Sequence, residues 1–118
     1  MIFTSYFKRI KEVPNPISIA RTKPFWTGAI QEMGLLAPSE DLVKDWKFDR
    51  ISQSDYIKRY NHEINRKFDP DDFKSMFRDW IYSNSCTLLC WEKSGSFCHR
   101  YLLARILIKS GIPCEEWK

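Results

Sequence analysis

Cys86-Thr87-Leu88-Leu89-Cys90-Trp91 is an uncharged apolar run, bounded by Asn84-Ser85 before it and Lys93-Ser94-Gly95-Ser96 after it. A continuous apolar run of this length is how a strand buried on both faces of a parallel sheet reads. Phe97 to Lys109 follows, apolar at Leu102, Leu103, Ile106 and Leu107, with Gly111 past its end and Pro113 beyond. That is a helix with a defined stop. Strand, short loop and helix in succession are the repeating unit of an α/β sheet.

The flanking chain extends the same pattern. Ile2 to Phe7 is rich in aromatic and β-prone residues and predicts a first strand ending at Lys8-Arg9. Pro14-Asn15-Pro16 breaks the chain, and Ile17-Ser18-Ile19-Ala20 predicts a second strand whose carboxyl end is Arg21-Thr22-Lys23-Pro24. Phe25 to Pro38 reads as a short helix or loop. Ser39 caps a short helix through Trp46, and Ser52 with Asp55 opens a helix over 53–67, where Tyr56, Tyr60, Ile64 and Phe68 recur every four residues. Asp69-Pro70-Asp71-Asp72 starts another, with Phe73, Met76, Phe77, Trp80 and Ile81 on its core face. Cys114 to Trp117 reads as a short terminal strand. The expectation is a single α/β domain over 1–118, a small three-layer Rossmann-like domain with a mostly parallel sheet and flanking helices.

With 118 residues, 43% apolar and 15% aromatic, the chain can bury a core without metal or disulfide staples. No apolar stretch approaches the ~20 residues of a membrane helix, and no secretory leader is visible. A cytoplasmic, reducing location is therefore expected, with Cys86, Cys90, Cys98 and Cys114 as free thiols. Nineteen basic against fifteen acidic residues leave +4, a mild charge spread along the chain. It favours anionic partners without distinguishing a nucleotide from a nucleic acid or an acidic protein surface. Lys58, Arg59, Arg66 and Lys67 on the 53–67 helix read better as a solvated face than as a nucleic-acid interface, and His62 as solvated.

One stretch concentrates reactive residue types. Cys90 to Arg100 reads C-x-E-x5-C-H-R and spans a strand end and a helix start. In open α/β sheets ligands bind outside the carboxyl ends of strands, where free N–H groups of the next helix favour anions. With Ser96 as cap, Cys98 and His99 fall in the first turn, which favours a thiolate; Cys98 is the preferred nucleophile and Arg100 an activator. Glu92, just past the buried strand, is a candidate general base or an ion-pair partner of Arg100 or Arg21. The C-x5-R phosphate cradle of phosphatases is not present. The spacing also lacks the paired ligands of structural zinc, and adjacent Cys98 and His99 on a helix would point about 100° apart, so neither a metal nor a cofactor is expected. A Cys90–Cys98 redox pair across the loop lacks C-x-x-C geometry. Cys86 and Cys114 read as small core residues. The expected pocket joins Ser5, Tyr6, Ser18, Arg21 and Trp26 to Cys90, Glu92, Cys98, His99 and Arg100. Its ligand is a small anion, with a nucleotide leading because Trp26 or Trp91 can stack a ring; the alternative is a module binding protein or nucleic acid.

These residues resemble the bacterial and phage family known as domain of unknown function 488. The resemblance covers nearly the whole chain: Thr4-Ser5-Tyr6-Phe7, Ile17-Ser18-Ile19-Ala20-Arg21 with Pro24 and Trp26, Leu36-Ala37-Pro38, Tyr60, Leu88-Leu89-Cys90-Trp91-Glu92, Phe97-Cys98-His99-Arg100 and Glu115. The pairing of C-x-E with C-H-R is its most specific part. It implies a fold and a pocket and supplies no reaction, so function has to be argued from the site.

Overall fold

In a computed structural model, which describes residues 1–118, the run Cys86–Cys90 is strand β4 of the sheet and each of its residues is buried. β1 (Ile2–Tyr6) lies beside it in parallel, with Ile2 opposite Cys86 and Tyr6 opposite Cys90. β2 (Pro16–Ser18) lies on its other side, with Ile17 opposite Leu88. β5 (Cys114–Glu116) adds outside β1, and β3 (Gln31–Glu32) outside β2. The result is a five-stranded, all-parallel sheet in the order β3-β2-β4-β1-β5, with flanking helices.

The central strand can be apolar on both sides because both faces are covered. Leu88 and Cys90 point into the main core with Ile2, Ile17 and Ile19, against the helices. Leu89 points the other way, into a thinner layer with Phe7, Val13 and Ala20. Its one polar side chain, Thr87, gives its hydroxyl proton to the Pro14 carbonyl at 2.9 Å.

The helices start where the caps predict. α1 (Glu40–Lys47) begins at Ser39, whose hydroxyl accepts from the Leu42 N–H. α2 (Gln53–Lys67) carries the Ser52–Asp55 capping box and buries Tyr56, Tyr60 and Ile64. α3 (Pro70–Met76) is capped by Asp69, which forms a second box with Asp72. The apolar face expected to continue through Ile81 is divided at Phe77 (φ −104°, ψ 12°), beyond which α4 (Arg78–Tyr82) is a separate short helix. α5 runs His99–Lys109, two residues shorter at its start than the sequence suggests, and Gly111 follows it at φ +87°.

Phe25 to Pro38 is the segment that differs most from expectation. It holds 3-10 turns at Phe25–Thr27 and Gly34–Leu36, and between them the edge strand β3. Two exposed polar residues at a sheet edge give no alternating apolar signal, and backbone pairing such as Met33 N–H to Ser18 O at 2.8 Å forms the strand. No helix is long and apolar enough to cross a membrane.

Candidate functional site

β2 leads outward to β3, whereas its neighbour β4 leads through α5, past β1, to β5. Connections leaving neighbouring parallel strands in opposite directions open a crevice at their carboxyl ends. A cavity of about 170 Å³ lies there. The exit from β2 contributes Ala20, Arg21 and Thr22, the exit from β4 Trp91 and Glu92, α1 Val43 and Trp46, α2 Tyr56, and α5 His99. The Trp91 indole N–H donates to the Thr22 carbonyl at 2.8 Å, tying the two exits together. Trp46 and Tyr56 meet edge to face, ring centroids 5.5 Å apart, and form the opposite wall. None of the ion pairs of the molecule includes Arg21 or Glu92. A cation and a carboxylate outside every ion pair thus line an aromatic-walled crevice.

Beneath it lie Cys90, Cys98 and His99, all buried. The sequence places Cys98 inside the helix; the structure makes Cys98 itself the N-cap, with extended backbone at φ −154°, ψ 147°. Cys98 and His99 are therefore not splayed by a helical turn, and the Cys98 Sγ lies 3.9 Å from His99 Nδ1. The expectation of four free thiols is corrected as well. The Cys90 and Cys98 sulfurs are within disulfide-bonding distance, while Cys86 and Cys114 are free and buried. Burial pushes both of those thiols up to about 12, so they are inert core groups.

His99 Nε2 lies 2.8 Å from the Ile19 carbonyl. A carbonyl only accepts, so Nε2 carries the hydrogen and Nδ1 presents its lone pair to the sulfurs. Burial lowers the His99 pKa to about 4, with a smaller opposing effect from the Ile19 hydrogen bond and a further lowering by Arg100. The imidazole is neutral near pH 7.

Arg100 is fully buried, the largest side chain so placed. Its Nε and Nη2 grip both oxygens of Glu116, at 3.1 and 2.8 Å. Nη1 donates to the Cys90 Sγ at 3.0 Å and to the Glu92 backbone carbonyl, and Nη2 also to the Tyr101 hydroxyl at 2.9 Å. All five guanidinium N–H groups are used. Tyr6 and Tyr101 lie under the same group, 5.9 and 4.6 Å from ring centre to Cζ. Arg100 is thus committed to the protein, and its sulfur contact is with Cys90 rather than Cys98. Its acid partner is Glu116, not Glu92. Burial raises the Glu116 carboxyl, yet hydrogen bonds from Arg100, Ser94 and Thr4 outweigh that and hold it below the usual range.

The other expected pocket residues divide by sheet face. Side chains alternate along a strand, so Ser5 and Ser18, both opposite Leu89, point into the thin layer away from Cys90. Ser5 Oγ has no hydrogen-bond partner there, and Ser18 Oγ accepts from Ala20 N–H at 3.3 Å. Trp26 sits half exposed on its 3-10 turn, outside the cavity lining. Arg21, Glu92 and His99 do meet in one cavity, with Cys90 and Cys98 below. Sequence reasoning missed Trp46, which reads only as the end of a short helix, Tyr56, whose helical spacing reads as core, and Glu116, whose place beside β1 depends on the sheet order.

A parallel α/β domain with an aromatic crevice above a buried Cys/Cys/His cluster is the class of protein these features define. The chain belongs to the family known as domain of unknown function 488: a family model described as "Active DUF488-N3 subclade" matches residues 11–111. Searches of curated proteins and of solved structures found no match.

Proposed function

We propose that the crevice binds a small anionic molecule bearing one flat ring, and that Cys90, Cys98 and His99 act chemically on it. The observation that carries this is the meeting of Arg21, which forms no ion pair, with Trp46, Tyr56 and Trp91 in one cavity whose lining includes His99. An arginine without an internal partner is free to take a phosphate or carboxylate in bidentate fashion. Size narrows the ligand. At about 170 Å³ the cavity is below the roughly 300–1,000 Å³ of drug-sized sites, so it accepts a base- or sugar-sized ring while the acid group stays at the rim with Arg21. A nucleoside monophosphate fits that description. The word "active" in the description of the matched subclade supports the catalytic part of the reading.

The nucleic-acid alternative is weaker. Arg59 on the basic face of α2 is held by Asp45 at 2.6 Å, and Lys67 donates to the Leu35 carbonyl, so two of its four cations are already engaged.

Titration of nucleoside monophosphates against the matching nucleosides, followed by tryptophan fluorescence, tests the reading. Monophosphates should bind more tightly, and Arg21→Ala should erase that advantage, about ten- to hundredfold, while Trp91→Ala weakens both. Failure of every monophosphate and small carboxylate to bind would remove the proposal.

A further inference from the structure

The geometry points to a metal site: with Cys90 and Cys98 reduced, their two thiolates and His99 Nδ1 form a three-donor site for a thiophilic divalent cation of the zinc class. The site goes beyond the ligand reading above and does not depend on it. The two sulfurs and a His99 ring nitrogen lie within 4.8 Å of one another, all three residues buried, and no other Cys, His, Asp or Glu joins them. Three protein donors with a fourth position left for water or substrate is the arrangement of catalytic zinc. Of the three donors' residues, His99 also lines the crevice.

A disulfide alone has no use for the histidine. Here its Nε2–H is anchored on the Ile19 carbonyl at 2.8 Å, which fixes the ring and leaves the Nδ1 lone pair facing the cysteines. Metal-bound histidines are oriented by this kind of outer hydrogen bond. Arg100 plays the corresponding part for Cys90, donating to its sulfur at 3.0 Å. Two thiolate sulfurs each about 2.3 Å from one tetrahedral ion sit about 3.8 Å apart, and the Cys90 and Cys98 Cα atoms, 7.5 Å apart, leave room for that separation once the pair is reduced.

Charge balances as well. Each thiol releases one proton on binding, so two thiolates neutralise the dication, and the buried Arg100 is already matched by Glu116. The spacing argument against zinc fails for one physical reason: Cys98 is the extended N-cap and not part of the helix.

The test uses the whole chain reduced with a phosphine, which supplies the two electrons that open the disulfide, and then cobalt(II) alone under anaerobic conditions. One equivalent should give thiolate-to-metal charge-transfer absorption with the visible bands of a tetrahedral ion, and zinc should displace it. Cys90→Ser, Cys98→Ser and His99→Gln should each weaken binding by at least the roughly 10–100-fold that loss of an outer hydrogen-bond partner costs, and Cys86→Ser with Cys114→Ser should leave it unchanged. Because a variant can fail to fold, wild-type protein provides a second measurement: one equivalent of zinc should shield two thiols from a thiol reagent and release two protons. Reduced wild type that shows neither charge-transfer absorption nor thiol shielding overturns the proposal, as does absorption that survives loss of Cys90 and Cys98. No anionic ligand is present in these assays, so their failure is separate from failure of the crevice reading.

Discussion

Arg100 shows why a single residue type is required at one point of this site. Its planar fork satisfies the Glu116 carboxylate, the Cys90 sulfur, the Glu92 carbonyl and the Tyr101 hydroxyl together. Lysine has three donors on a flexible stem and cannot reproduce that set. Arg100→Lys should therefore lower stability by about 1–3 kcal/mol for the acceptors left unpaired in a buried setting. Glu116→Gln, which strips the charge from the partner of a fully buried cation, should cost more, about 3–5 kcal/mol. Urea unfolding of both variants measures this. A loss near zero for Glu116→Gln would mean that the guanidinium is not dependent on that carboxylate. The residue pair was half legible in the sequence: Arg100 stands out in the C-H-R motif, but nothing local says that its partner lies sixteen residues on instead of at Glu92.

At the scale of elements, boundaries carried by side-chain chemistry were the legible ones. Ser39, Ser52 and Asp69 each accept a hydrogen bond from the backbone N–H three residues on, and each helix starts where that cap predicts. Asp69→Ala should accordingly cost about 1 kcal/mol, read as a lower urea midpoint with unchanged slope; no shift would show that Pro70 and the core contacts of Phe73 alone define the start of α3. Elements without such chemistry were not legible. β3 is two exposed polar residues, recognisable only through backbone pairing with β2. The start of α5 is not legible because Ser96 is the better capping residue by type, yet Cys98 holds the N-cap position with no side-chain cap bond. That shift of two residues matters more than its size suggests, since it is what brings Cys98 beside His99. The same limit applies to the crevice: Arg21 and Glu92 are legible from strand ends and His99 from the start of a helix, whereas Trp46 and Tyr56 enter only through how α1 and α2 pack.

For the whole molecule, the sheet order makes the C-terminal strand part of the site. β5 lies next to β1, and from it Glu116 reaches Thr4 of β1, Ser94 of the loop after β4, and Arg100 of α5. Loss of that one charge should loosen three segments together, and pH is the way to remove it without mutation. The Glu116 carboxyl titrates below its ordinary value of 4.5 in the folded chain. A carboxyl with a lowered folded pKa binds fewer protons folded than unfolded, so its contribution is complete above about pH 4.5 and is lost as pH falls through the lower folded value. Wild type should therefore lose stability more steeply than Glu116→Gln below pH 4.5. The gap between them should be constant from pH 5 to 7 and should narrow in acid. Thermal unfolding of both proteins across that range provides the comparison, and a gap that stays constant down to the acid transition would show that the Glu116 charge does not couple β5 to the rest of the fold.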